Sequence, residues 1–427
     1  MASTSQATSL DLARLLEELV DWRYKSFPAG PPVALGAVGR QGWNVLGGDF
    51  MLPVMVLKQP ALAHNLQVMA GFCARNEVWL APHGKTTMAP QLVEMQFAAG
   101  AWAVTAATMW QARVYRAFGA GRIVLANELL EPASIRWLAS ELAGDEDFDF
   151  YCLVDSLEGV ALLDQGLADA GLKRRLQVLL EVGFEGGRTG CRTPGQAMAV
   201  AKAVTGSRHL ALAGVEAFEG IMGSIADVDR FLERMRELIA EADAAGLFRD
   251  RAEIIATAGG SAYFDRVLEL LGGLRLSRPV RLVLRSGCYV THDAVHYAQL
   301  SPFGSRLAGT EPLQEALEVW GVVLSRPEPE LALLGFGKRD VSYDLELPVP
   351  RLVKPASGSI RKLAGAASVV ALNDQHAYMK LEAGEELRVG DLVGCGISHP
   401  CTAFDKWRLI PVVDDDYGVV DAVLTYF

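Results

Sequence analysis

Two short stretches of this chain carry residues able to do covalent or metal chemistry. The first is Ala81-Pro82-His83-Gly84-Lys85-Thr86-Thr87, which follows the apolar run Val78-Trp79-Leu80. An amine at the end of a buried strand is poorly hydrated, which favours its neutral, nucleophilic form. That is the setting a Schiff-base lysine requires, although a solvated loop is the commoner fate of any one lysine. The second stretch runs from Gly396 to Trp407 and contains His399 and Cys401. Two residues apart on an extended segment, they point to one face. Imidazole and thiolate together suit zinc. A structural zinc site normally takes four protein ligands, so a metal here would leave positions for water or substrate, the catalytic arrangement. The alternative is a buried structural histidine beside a small buried cysteine.

Other residues suit anions. Gly259, Gly260 and Ser261 offer backbone N–H groups and a hydroxyl. A second glycine loop, Arg285-Ser286-Gly287-Cys288-Tyr289, follows later. Arg188 lies among glycines in 183–190 and could orient a carboxylate, a phosphate or a ring nitrogen, or be a solvated loop arginine. His83 shares the face of Lys85 on an extended run. His292 and His296 are four apart but have no HExxH context. His376 falls in a turn, and His64 and His209 read as structural or solvated.

These residues need elements to bring them together. Strands are expected at 78–81, 102–106, 122–126, 149–154, 177–182, 212–218, 253–257 and 281–285, with helical patterns between them. Near-continuous apolar runs such as Ile123-Val124-Leu125-Ala126 suit strands buried on both faces of a parallel sheet. Eight such units in about 210 residues fit a TIM (β/α)8 barrel better than a doubly wound sheet, the other arrangement considered. Lys85 then follows the first strand, Arg188 the fifth, the Gly-Gly-Ser loop the seventh and Gly287 the eighth. All four lie at the end of a barrel where active sites are built. Apolar spacing over 10–22 predicts an amphipathic helix, and 51–58 reads as a strand. Beyond about residue 310, short β-like segments separated by turns predict a mostly antiparallel β domain. The chain thus divides into 1–50, an N-terminal helix and lead-in packing on the β domain; 51–310, the barrel; and 311–427, the β domain with the histidine–cysteine pair.

The bulk composition narrows the function. With 51% hydrophobic and 21% charged residues the chain is globular, and a net charge of −11 leaves no basic excess for nucleic acid. No basic-then-apolar leader opens the sequence, and no run of 18 uncharged apolar residues predicts a membrane span. Six cysteines without a CxxC pair point to a reduced, cytoplasmic protein.

Taken together, Pro82-His83-Gly84-Lys85-Thr86 and His399-Pro400-Cys401-Thr402-Ala403-Phe404-Asp405-Lys406-Trp407 make the chain resemble the D-serine dehydratase and D-threonine aldolase group of pyridoxal-phosphate enzymes. These share the alanine-racemase type of barrel. The resemblance runs from about residue 50 to the C-terminus. It implies that Lys85 carries pyridoxal 5′-phosphate as a Schiff base and acts as the catalytic base. Arg188, Gly259, Gly260, Ser261, Gly287, Cys288 and Tyr289 would bind the cofactor. His399 and Cys401 would bind a divalent metal, zinc first, with Mn or Mg as alternatives. It also implies a homodimer, a strand at 51–58 that leads into the barrel without joining it, and a small D-amino acid as substrate.

Two features depart from relatives: Thr87 and Met88 stand where many have a second histidine, and Arg-Ser-Gly-Cys-Tyr replaces Arg-Pro-Gly-Asn-Tyr. Aldolase members tend to have aspartate at the position of Cys401, and dehydratase members cysteine. The expectation is therefore a dehydratase (deaminase) of D-3-hydroxy amino acids such as D-serine, giving a 2-oxo acid and ammonia. The alternatives are a D-threonine-type aldolase giving glycine and an aldehyde, and a non-catalytic pyridoxal-phosphate carrier.

Overall fold

The computed structural model describes residues 9–363, 366–382 and 384–427. The first residues of the expected N-terminal segment, 1–8, lie outside them. Eight parallel strands form one sheet in which each neighbours the next in sequence: Trp79–Leu80, Val104–Ala106, Arg122–Glu128, Asp149–Val154, Leu176–Val182, Leu210–Ala217, Ile254–Ala258 and Val280–Leu284. The first pairs with the eighth in parallel. On its other side it meets the second through the His83–Thr105 bridge, with Trp102 N–H on the Leu80 carbonyl at 2.7 Å and Thr105 N–H on that of Pro82 at 2.9 Å. The sheet therefore closes, and the expected (β/α)8 barrel is the fold rather than an open doubly wound sheet.

Inside it, Ala81, Trp102, Val124, Tyr151, Leu153, Leu179, Ala213, Ile255 and Val283 form a buried cluster, the packed interior such barrels need. Helix starts are set by local chemistry. Thr108, Ser156, Thr193 and Ser224 each accept a hydrogen bond from a backbone N–H three residues on, and Thr193 with Gln196 forms a full capping box. Each such cap contributes about 1 kcal/mol and fixes where the chain leaves the barrel mouth.

The second sheet has ten strands and is antiparallel apart from the pairing of Leu409–Val413 with Val54–Lys58. Its centre is Leu317–Glu328, flanked by Val54–Lys58 and Leu392–Gly396. The segment before the barrel thus pairs with the β domain although it precedes Trp79–Leu80 in sequence. Two strands escaped the sequence reading. Val349–Lys354 contains Pro350, which argues against a strand, and Arg361–Lys362 is short and polar.

The helix expected over 10–22 is a correction. Only Ala13–Leu16 is helical, and Leu19–Val20 pairs with Val33–Ala34. Leu15 and Val20 are buried against a cluster that includes Trp320 and Leu409, while Leu16 and Leu19 are 42% and 53% exposed. Packing on the β domain takes the chain away from one helical stripe, and so short a helix gains little from propagation. Among the described residues no helix is long and apolar enough to cross a membrane.

Candidate active site

A cavity of about 420 Å³ opens at the C-terminal mouth of the barrel. Lys85 enters it from the 3₁₀ turn Gly84–Thr86, which follows the first strand. This turn is tightly held. A Cβ on Gly84 would fall 2.5 Å from the Tyr115 hydroxyl oxygen, and that hydroxyl donates to the Gly84 carbonyl at 2.8 Å. Only glycine lets the fully buried Tyr115 brace the turn from beneath. His83 borders the same cavity, and its Nδ1 is buried with no partner among the described residues. Burial first, and the nearby Lys85, Arg285 and Arg188 after it, hold this imidazole neutral, well below its ordinary pKa.

The anion-binding loops divide into a free part and a committed part. Gly259 and Gly260 donate their N–H groups to the fully buried Glu219 carboxylate at 3.1 and 2.8 Å. Ser261, Ala262 and Gly287 line the cavity, and their N–H groups find no acceptor among the described residues. Gly287 is required where it stands, because a Cβ there would meet the His83 carbonyl oxygen at 2.5 Å. Gly260 also lines the cavity. Gly259 lies behind it, at φ +91°, and Tyr289 points into the main core and borders a different cavity with Cys73 and Gln96.

Arg285 and Glu216 form a buried ion pair in the cavity wall. The guanidinium also donates to Thr257 Oγ1 at 2.7 Å and to the Ala217 carbonyl at 3.0 Å. Burial raises the Glu216 carboxyl, and Arg285 opposes that shift. Arg188 stacks over Phe218 at 4.9 Å on a loop gathered around Arg192, whose guanidinium donates to the carbonyls of Gly187, Arg188, Thr189 and Gly190. Beside this loop, Glu128, Asp155 and Glu181 bring oxygens within 4.8 Å of one another. Burial, then the hydrogen bond with Glu181, pushes the Glu128 carboxyl up to about 8.

The other half of the site comes from the second sheet. Leu392–Gly396 leads straight into the loop bearing His399, and Cys401 opens the turn Cys401–Phe404. The Ala294 N–H donates to the Ile397 carbonyl at 2.8 Å, and the His399 N–H to Asp293 Oδ2 at 3.1 Å. The other oxygen of Asp293 accepts from the backbone of Val295, Tyr297 and Ala298. One buried carboxylate thus joins the two domains at the cavity. His399 has φ +50°, a region that costs a non-glycine residue about 1 kcal/mol or more. Its Nδ1 lies 2.5 Å from Asp344 Oδ2, and Thr402 donates to the other Asp344 oxygen at 2.6 Å. Asp344 therefore fixes the tautomer and leaves Nε2 for a ligand role. The hydrogen bond with Cys401, ahead of other causes, raises His399 to about 9. The Cys401 thiol is held well below its ordinary pKa, chiefly by a hydrogen bond from Cys288.

The structure therefore brings Lys85, Arg188, Gly260, Ser261, Gly287, Cys288, His399 and Cys401 to one cavity. These residues fit pyridoxal phosphate, which needs an amine, a cradle of free N–H groups and a cationic partner in the wall. A histidine with one free nitrogen beside a thiol fits a divalent metal.

Residues 57–279 match the family model of the alanine racemase N-terminal domain, and residues 316–413 match the putative serine dehydratase domain. The chain belongs to the alanine racemase N-terminal domain family. Among proteins similar to this family member is the D-threonine aldolase of an Arthrobacter species, 24% identical over 87% of this chain and 90% of that one. The 3-hydroxy-D-aspartate aldolase of Paracoccus denitrificans is also 24% identical, over 70% of this chain and 75% of its own. The fold of the present chain resembles that of the D-threonine aldolase from Filomicrobium marinum, with a TM-score of 0.74 at 23% identity, covering 91% of this chain and 98% of that one. The D-threo-3-hydroxyaspartate dehydratase from a Delftia species has a TM-score of 0.66 at 18% identity, covering 88% and 97%.

In this family member several site residues carried no sequence signal. Arg285 was visible in its loop, but Glu216 lies in an apolar strand and Asp344 in an irregular stretch far from His399. Only the closed barrel and the domain contact bring each pair together.

Proposed function

We propose that the protein is a pyridoxal-phosphate- and divalent-metal-dependent lyase that cleaves the Cα–Cβ bond of D-3-hydroxy amino acids, giving glycine and an aldehyde. The observation that carries the lyase reading is the meeting of Lys85 with His399 and Cys401 in one cavity. Bound there, the cofactor supplies an electron sink for the bond broken at Cα, and the metal supplies Lewis acidity toward the 3-hydroxyl.

The chain's residues do the rest. Lys85 would hold the cofactor, and its free amine would move a proton at the substrate Cα. The free N–H groups of Ser261, Ala262 and Gly287 bind the phosphate, with the Ser261 hydroxyl beside them. Arg285, anchored by Glu216, would present fixed positive charge to the ring, and Arg188, lining the same cavity, would orient an anionic group. His399 and Cys401 would hold the metal, which would supply Lewis acidity toward the 3-hydroxyl, so that the substrate would be gripped at both ends of the bond to be broken. The same reading includes a homodimer, which sedimentation velocity checks.

Support for cleavage at Cα–Cβ is the similarity to two aldolases along most of their length. A second reading, dehydration to a 2-oxo acid and ammonia, is favoured by Cys401, where aldolase members tend to have aspartate. In the first reaction Lys85 returns a proton to Cα, and in the second it removes one. Product analysis on D-threonine, D-3-hydroxyaspartate and D-serine, with L-enantiomers and chelated enzyme as controls, separates them. Glycine plus aldehyde without a 2-oxo acid supports the aldolase. A 2-oxo acid with ammonia transfers the assignment to the dehydratase. No product from any D-3-hydroxy amino acid removes both.

A further inference from the structure

His399 and Cys401 alone leave a metal with two protein ligands, whereas catalytic zinc sites usually have three and one open position. A third donor stands beside Cys401. Cys288, in the 3₁₀ turn Cys288–Val290 after the eighth barrel strand, lines the cavity and places its Sγ 3.6 Å from that of Cys401. Two thiolates sharing a tetrahedral zinc with bonds of about 2.3 Å stand about 3.8 Å apart. The observed pair already sits near that spacing, while a disulfide would need the sulfurs to close to about 2.05 Å. Thr86, one residue after the cofactor lysine, faces both sulfurs, with Oγ1 3.4 Å from Cys401 Sγ and 3.6 Å from Cys288 Sγ. The sulfur pair therefore adjoins the turn that presents Lys85 rather than lying apart in the core.

Resting on the metal-dependent reading above, we infer that Cys288 is a third protein ligand, making a His399–Cys401–Cys288 zinc site with one position open for the substrate hydroxyl. Binding releases the thiol proton to solvent. Two thiolates cancel the charge of the ion, so this site holds zinc more tightly and polarises the hydroxyl less than a site with one thiolate. Thiolate donors also favour zinc over manganese or magnesium, which prefer oxygen. The ligands come from both domains, so the ion ties the eighth-strand loop of the barrel to the loop following Leu392–Gly396.

The test counts sulfurs around the metal without using activity. Zinc K-edge X-ray absorption on the cofactor-loaded protein is expected to show two sulfurs per zinc at about 2.3 Å, with nitrogen or oxygen at about 2.0 Å. In Cys288→Asn the count falls to one. Zinc affinity, measured by competition with a chromophoric chelator, falls at least about tenfold, and the cofactor's visible absorbance is retained. One sulfur in the native protein overturns the inference and leaves the proposed function standing. A native protein that takes up no zinc overturns both that inference and the metal-dependent reading. The native count is decisive whether or not the variant folds.

Discussion

Lys85 and His399 reach the same cavity by different means. Lys85 is placed by its own neighbourhood: a barrel strand ends at Leu80, Gly84 rests on Tyr115, and the Thr87 and Met88 N–H groups bond back to the Gly84 carbonyl. His399 is placed from a distance. Its backbone has a positive φ, its N–H is held by Asp293 from the barrel, and its ring is held by Asp344 from another loop. The first half of the site is a local device and the second a tertiary one. The difference means that the lysine side should survive disturbance of the metal side, while the metal side depends on the contact between domains.

The largest effect tests that independence from the lysine side. Lys85→Ala is expected to lower turnover by about 10³-fold or more, since it removes both the anchoring amine and the proton carrier at Cα. The visible absorbance of the bound cofactor should be lost while far-ultraviolet circular dichroism is unchanged. Retained turnover would take Lys85 out of the chemistry. His399→Ala, or chelation of the native protein, is expected to cost about 10²- to 10³-fold in turnover with cofactor absorbance intact. Loss of both signals together would show that the two halves are one cooperative unit.

Asp293→Asn probes the joint. The carboxylate accepts from three N–H groups on one oxygen and from His399 on the other, and it is 2% exposed. An amide must turn its NH₂ toward one of those donor sets, leaving buried N–H groups unpaired at a cost of about 1–3 kcal/mol. Denaturant unfolding measures the loss. Because the tether is to His399, metal affinity should weaken while cofactor binding holds. Equal weakening of both would erase the distinction drawn between the halves.

The same difference decides what could be read from the chain alone. All eight barrel strands were legible because apolar runs between helical patterns are a local signal, and strand order then placed Lys85, Arg188 and Ser261 at one mouth. His399 and Cys401 stood out by type and spacing. Their partners did not. Asp344 lies 55 residues from His399, and nothing in its own neighbourhood announces the contact. Glu219 is another case: the reading offered the Gly259 and Gly260 N–H groups to a ligand, and a carboxylate 40 residues earlier takes the first of them. Side-chain tethers across long sequence separations leave no periodicity, so they became visible only once the chain was folded. The N-terminal segment went the other way, since its apolar spacing promised a helix that packing against Trp320 and Leu409 replaced with a strand pair.

The smallest expected effect concerns the carboxyl cluster of the barrel wall, Glu128 with Glu181. Glu128 Oε1 and Glu181 Oε2 are buried without a hydrogen-bond partner among the described residues, and the two carboxyls bring oxygens within 4.8 Å of each other. Burial is the main reason both are raised, with Glu128 at about 8 against an ordinary value of 4.5. The folded protein therefore keeps a proton that the unfolded chain gives up above 4.5. Stability attributable to Glu128 is highest below that pH and declines as pH rises from 4.5 to about 8, with the full penalty present above. Glu128→Gln keeps a donor toward Glu181 and cannot ionise. Its melting temperature should vary less between pH 5 and 9 than that of the native protein and should exceed it at pH 9, by no more than about 3 °C. Zinc affinity should be unchanged at either pH, since the pair touches neither His399 nor Cys401. If the pH dependence of the melting temperature is the same in both proteins, Glu128 is not the group that keeps its proton on folding. If instead the metal affinity moves with Glu128, the barrel wall and the metal loop are coupled, and the separation between a local and a tertiary half of the site fails at its weakest point.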